Sequence, residues 1–195
     1  NENWEVVHGY TEVFEGIAAF RGSKYVQSYI KDNYKKAEAF LKTERWVLFS
    51  GTPCQIAGLH RFLRKEYEKL VTVDVVCHGV PSPLVFRDYF KKKVMLSLNS
   101  MPVLTGISFK DKSIGWKKTS FVIRAKSALK AGENSVLSSV KVENQECVLL
   151  HETLDKNVFM QGFLKNIYLR PSCYTCAAKS GKSGSDITIG DFWGI

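Results

Sequence analysis

Trp46-Val47-Leu48-Phe49-Ser50-Gly51-Thr52-Pro53-Cys54-Gln55-Ile56-Ala57-Gly58-Leu59 is the stretch that decides the fold. Its opening apolar run halts at Ser50-Gly51, the pattern of a short buried strand. Ile56, Leu59 and Leu63 then fall on one face of a helix that ends near Tyr67. Val71 to Val76 is a second, β-branched strand, stopped by Cys77-His78-Gly79. After it Ser82 is placed to cap, and Pro83 to open, a helix running to about Val94. Strand–helix–strand–helix with short connections predicts a parallel α/β unit.

Outward from that unit the pattern changes. Upstream, Val26, Ile30, Ala37 and Leu41 recur at helical spacing, with Ser23 placed to cap a helix over 23–41. Downstream, Thr105 to Phe109, Ser120 to Ala125 and Ser138 to Val142 read as strands. Polar loops at Lys110-Asp111-Lys112 and Ala131-Gly132-Glu133-Asn134 separate them. Asp155 to Asn166 reads as a helix and Ile187-Thr188-Ile189 as a last short strand. The expected fold is α/β: a parallel strand–helix–strand–helix core with an additional, mostly antiparallel β portion. Residues 1–195 are read as a single domain.

Composition bounds the function. The 195 residues are 45% hydrophobic and 24% charged, ordinary for a globular chain with a real core. No stretch approaches the roughly eighteen apolar residues of a membrane span, so no membrane is expected. The start, Asn1-Glu2-Asn3-Trp4, lacks an initiator Met and a signal pattern, and reads as an excised piece of a longer, cytoplasmic chain. The net charge of +9 comes from 28 Lys and Arg against 19 Asp and Glu. Because these cations are spread along helix faces, with only short runs such as Lys91-Lys92-Lys93, nucleic acid is not the expected partner. A basic surface equally suits an anionic cofactor or an acidic redox partner.

The five cysteines are Cys54, Cys77, Cys147, Cys173 and Cys176. An odd count without an export signal argues against a disulfide framework. If the two strands are parallel, Cys54 and Cys77 both lie at the carboxyl edge of the sheet, where α/β proteins place ligands. Neighbouring strands are about 4.8 Å apart, so thiolates from both loops can reach one small cluster. The helix N-terminus beside Cys54 favours thiolate. Cys173 and Cys176 form a C-x-x-C pair in Arg170-Pro171-Ser172-Cys173-Tyr174-Thr175-Cys176. Such a pair is half a zinc site, a redox disulfide or half an iron–sulfur site. Two separated cysteines plus one C-x-x-C suit a four-iron cluster, and a non-enzymatic four-cysteine zinc module with a basic surface is the alternative. Cys147 has no Gly or Pro beside it and reads as a small buried apolar residue. Lys179 and Lys182 share a loop with two glycines, suited to a pyrophosphate. No Ser-His-Asp, paired-carboxylate or P-loop arrangement competes for the chemistry.

Four ordered motifs carry a resemblance: Phe49 to Leu59, Val75-Val76-Cys77-His78-Gly79-Val80-Pro81-Ser82-Pro83, Arg170 to Cys176, and Ser185-Asp186-Ile187-Thr188-Ile189-Gly190-Asp191-Phe192-Trp193-Gly194. In this order, from about Ser23 to the end, they resemble the beta-subunit family of coenzyme F-420-reducing hydrogenases and formate dehydrogenases. The resemblance implies an iron–sulfur flavoprotein oxidoreductase that passes electrons between a 4Fe–4S cluster, FAD and a deazaflavin or another two-electron acceptor. It makes Cys54, Cys77, Cys173 and Cys176 the cluster ligands. It implies a ferredoxin-like domain or another electron-transfer partner. Ser23-Lys24-Tyr25-Val26-Gln27-Ser28 resembles one of the family's flavin motifs, which puts Ser23, Lys24 and Tyr25 with Lys179 and Lys182 as cofactor contacts. A helix cap with a solvent-facing turn is the other reading of that stretch. Trp116 matches a family position and is suited either to stacking on a flavin or to packing. His78 is placed to tune a cluster sulfur, and Asp191 to fix its loop. His8, His60 and His151 read as surface or satisfied core residues. With so few polar candidates, these 195 residues are expected to hold FAD poorly on their own and to be inactive in isolation.

Overall fold

A computed structural model describes residues 5–95, 103–115, 118–126 and 146–191. The strand expected over 138–142 and Trp116 lie outside the described residues. The chain divides into two compact units, one of 1–16, 27–80 and 169–195, the other of 17–26 and 81–168.

The first unit is built on the parallel stretch read from sequence. Strand β1 (Val47–Gly51) leads into helix α2 (Pro53–Leu63), which returns the chain to β2 (Leu70–Val75). Helix α1 (Asn33–Lys42) precedes β1. A third strand, β6 (Ile187–Ile189), joins β2 in parallel to give the order β1-β2-β6. One face of this sheet packs on the helices: Phe49 meets Ala37, Leu41, Ile56, Leu59 and Leu63, all buried. Burying five or six such side chains is worth roughly 1.5–3 kcal/mol each before chain entropy is counted. The opposite face leaves Leu48, Val75, Ile187 and Ile189 exposed.

The helix expected over 23–41 is shorter than its periodicity suggested and occupies only Asn33–Lys42. Tyr29 is tied instead to the N-terminal segment, its amide donating to Val6 O (3.0 Å) and its carbonyl accepting from His8 N (2.8 Å). Lys31 then adopts φ 51°, a left-handed turn that no helix continues through.

The second unit holds helix α3 (Pro83–Met95) and the antiparallel sheet β3 (Val103–Asp111), β4 (Ser120–Lys126) and β5 (Glu146–Thr153), in the order β3-β4-β5. Strand β5 is additional to those read from the sequence, since Glu146-Cys147-Val148-Leu149-Leu150-His151 shows no alternation of apolar and polar residues. Phe109, Phe121 and Ile123 from the sheet, Phe86 from α3, and Phe159 and Phe163 from helix α4 (Val158–Leu164) form the core. Phe109 meets Phe121 edge-on, with centroids 5.2 Å apart, a favoured aromatic geometry. Asn157 caps α4 by accepting from Met160 N (2.9 Å), and its amide donates to Tyr89 and Glu152, so a fully buried polar side chain is satisfied. The mixed fold is the expected one: a parallel α/β core and an antiparallel portion.

Candidate metal centre

Sheet register places the first two thiols. Gly51 pairs with Asp74 across β1 and β2, and Cys54 and Cys77 each lie three residues beyond that pair, at the carboxyl edge. Thr52 and Pro53 set the turn at Cys54. Thr52 is extended (φ −75°, ψ 158°) as the residue before a proline prefers, and Pro53 opens α2. The Gln55 side chain accepts from the Thr52 amide at 2.9 Å, supplying half of a capping box.

The C-x-x-C pair straddles the end of a short helix, α5 (Pro171–Tyr174), with Cys173 inside it and Cys176 two residues beyond. Arg170 N donates to Val80 O (3.0 Å), and Cys173 N to Arg170 O (2.8 Å). Gly79 permits the approach. Its φ is 138°, and a Cβ there would stand 2.9 Å from Leu169 Cδ1 and 3.4 Å from Cys173 Cβ. Only glycine leaves that space empty at that φ.

Cys54, Cys77, Cys173 and Cys176 all line one pocket, within the first unit. Its volume is about 90 Å³, where one water needs roughly 10–15 Å³. None of the cysteines is in a disulfide; Cys54 is exposed and the other three half-buried. Burial pushes the Cys77 thiol up, an amide hydrogen bond from Gly79 and the charge of Lys179 oppose this, and Cys54 and Cys173 add to the rise. Among the described residues no three His, Cys, Asp or Glu side chains are close enough to share a single metal ion.

Of the cofactor candidates, Lys179 lines the same pocket, and its ammonium donates to His78 O at 3.0 Å. Lys182 is exposed and does not line it. Ser23, Lys24 and Tyr25 belong to the other unit. Lys24 donates to the carbonyls of Phe20, Arg21 and Gly22, at 3.3, 2.8 and 3.1 Å. Tyr25 packs on Phe109 and Phe163. Cys147 sits on β5 opposite Ala125, half-buried, also in the second unit. His8 stacks on Phe49 and bonds Ser50 O at 3.1 Å.

Residues that sequence reasoning passed over hold the site in shape. Strand β6 has three residues, too few to stay by its ladder alone, and Asp186 anchors it by accepting from both the amide and the hydroxyl of Thr72. Ahead of it, Ser183 Oγ donates to the buried Asp74 at 2.6 Å. Burial pushes the Asp74 carboxyl up, but the hydroxyls of Ser183, Thr188 and Ser185 outweigh it and hold the group below the usual carboxylate range. Gln27 and Arg170 reach the pocket from separate segments. The sequence signal for Ser183 is the small polar run before a strand too short to stand alone, and that for Asp186 is its place in the motif from Ser185 to Gly194.

The family model for the C terminus of the coenzyme F-420 hydrogenase/dehydrogenase beta subunit matches residues 44–194. No curated protein matches the chain. Among solved structures, a chain from the F-420-reducing NiFe hydrogenase complex of Methanosarcina barkeri, from a xenon derivatization study, is similar at 13% identity with a TM-score of 0.48. The alignment covers 96% of this chain and 56% of that one, so this chain spans little more than half its length.

Proposed function

This chain belongs to the coenzyme F-420 hydrogenase/dehydrogenase beta-subunit family, and from that premise we propose that it is the electron-relaying part of an iron–sulfur flavoprotein oxidoreductase. The carrier is a 4Fe–4S cluster on Cys54, Cys77, Cys173 and Cys176, working with FAD and a two-electron carrier such as coenzyme F-420. The observation that carries the reading is one pocket lined by four free cysteines from two strand ends and a C-x-x-C turn.

The donor set suits such a cluster. Four thiolates bind four iron corners, so their sulfurs stand farther apart than around one tetrahedral ion at about 2.3 Å. Four thiols from three separate segments, with only Cys173 and Cys176 as a close pair, suit the larger group better than a four-cysteine zinc module, whose ligands usually come in two close pairs. When bound, the cluster supplies single-electron transfer, and the flavin joins it to two-electron chemistry. The protein's own part is to hold the thiols apart at fixed register, to offset their charge with Lys179 and Arg170, and to leave the Cys54 side open to an electron partner. That partner is a ferredoxin-like domain or another electron carrier.

Flavin contact is supported by family membership alone. Lys24 is engaged with three carbonyls and Tyr25 with the aromatic core, so these two side chains do not by themselves form a flavin cradle. Ser23, Lys24, Tyr25, Lys179 and Lys182 are the contacts to test. Among the described residues no helix is long and apolar enough to cross a membrane.

The test is electron transfer itself. Anaerobically loaded protein should bleach on reduction with dithionite and, freed of excess reductant, should pass its electrons to a soluble one-electron acceptor with recovery of its visible absorption. Loaded protein that accepts no electrons, or a Cys54→Ala variant that transfers them equally well, would overturn the reading.

A further inference from the structure

The Cys54 sulfur has two polar neighbours that are not ligands. Thr52 Oγ1 stands 3.2 Å from it, and Gln27 Nε2 4.0 Å. Gln27 is held from its other end by Arg170, whose guanidinium donates to Gln27 Oε1. Because a guanidinium has no acceptor, the amide oxygen must face Arg170 and the amide nitrogen the sulfur. The positive charge on Arg170 also polarises that amide, which strengthens it as a donor. The chain Arg170–Gln27–Cys54 thus ties the segment before the C-x-x-C turn to the thiol on α2 across the pocket.

Thr52 has one proton and two acceptors. Its hydroxyl is 3.0 Å from Gln55 Oε1, which already receives the Thr52 amide at 2.9 Å. While Cys54 is a thiol, its own S–H can point to Thr52 Oγ1 and the hydroxyl to Gln55. A sulfur bound to iron has lost that proton and only accepts. Thr52 then satisfies it by turning from Gln55, which keeps the amide bond and, through Nε2, its bonds to Ser28.

We propose that Thr52 and Gln27 are positioning residues that raise the reduction potential of the group held at Cys54, by donating hydrogen bonds to its sulfur. This rests on the cluster reading above. A donor to a ligating sulfur stabilises negative charge, and the reduced state carries more of it, so each donor makes reduction easier. Cys54 is the exposed cysteine of the four, where water would otherwise compete as the donor.

The experiment uses the full chain, loaded with iron and sulfide under anaerobic conditions. Iron and sulfide content is measured first, then the midpoint potential by titration with dithionite followed in the visible and by EPR. Thr52→Val and Gln27→Leu should keep wild-type iron content and show more negative midpoints. Thr52→Ser, which restores the hydroxyl, should return to the wild-type value. Unchanged midpoints in both Thr52→Val and Gln27→Leu at full iron content would overturn the inference while leaving the cluster reading standing. Absence of iron from the wild-type chain would overturn both. If Thr52→Val weakens α2 and loses iron, Gln27→Leu decides alone, since Gln27 has no part in that helix cap.

Discussion

Asp186 Oδ2 accepts from both the backbone amide and the hydroxyl of Thr72, each at 2.7 Å, across 114 residues of sequence. Asp186 N answers by donating to Thr72 Oγ1 at 3.0 Å. This reciprocal lock fixes β6 to β2 and holds the end of the loop that begins at Cys176 and Lys179 beside the Cys77 strand.

The lock should be sensitive to acid. The Thr72 hydroxyl and amide bonds hold the Asp186 carboxyl below the usual carboxylate range. A carboxylate with a depressed folded pKa contributes stability above its unfolded pKa of about 3.9 and loses it as pH falls through the folded value. Asp186→Asn should therefore lower the melting temperature at neutral pH and flatten the fall in stability below about pH 4. Thermal melts of both proteins between neutral and acid pH measure this, and parallel curves would show that the lock contributes nothing.

Gly79→Ala should disrupt the site more than the fold. An alanine at φ 138° costs on the order of 1–3 kcal/mol in backbone strain. Its Cβ would also press on Leu169 Cδ1 at 2.9 Å and come within 3.4 Å of Cys173 Cβ, crowding the seat of one proposed ligand. The expected outcome is a protein with a native circular dichroism spectrum and several-fold less bound iron after reconstitution. Full iron content in a folded Gly79→Ala protein would remove glycine's role in seating α5.

In the second unit the Asp111–Arg124 pair is the acid-sensitive element. Arg124 Nη2 donates to Asp111 Oδ2 at 2.6 Å, and Ser113 N to Oδ1 at 2.9 Å. The guanidinium first, then Ser113, hold the Asp111 carboxyl down at about 2. Its stabilisation is present above the unfolded pKa and is lost as pH falls toward about 2. Arg124→Ala should cost on the order of 1 kcal/mol at neutral pH, discounted for solvent screening, and little at pH 2. Denaturant melts at the two pH values check it, and an equal loss at both would mean that packing, not charge, is what Arg124 supplies.

Much of this was legible in the chain because the decisive signals are local. Apolar runs stopped by glycine gave β1 and β2, and strand–helix–strand order implied that Cys54 and Cys77 share an edge, as the Gly51–Asp74 register bears out. What escaped depends on partners distant in sequence. Gln27 matters through Arg170, Asp186 through Thr72 and Ser183 through Asp74, and no periodicity encodes such pairs. The helix over 23–41 failed for the same reason: backbone bonds from Tyr29 to Val6 and His8 overrode a local pattern that looked helical.

Cys147 should be dispensable. It lies on β5 in the unit that does not hold the pocket. Cys147→Ala should retain the iron of the parent protein, while Cys54→Ala or Cys176→Ala should lose most of it. Loss of iron from Cys147→Ala alone would break the ligand assignment.

The most direct test of the four-thiol centre is elemental: iron, acid-labile sulfide and zinc per chain in protein prepared without oxygen. The account predicts a brown protein with about four iron and about four sulfide per chain and negligible zinc. A colourless protein carrying one zinc and no sulfide would contradict it and make the pocket a structural thiol site instead.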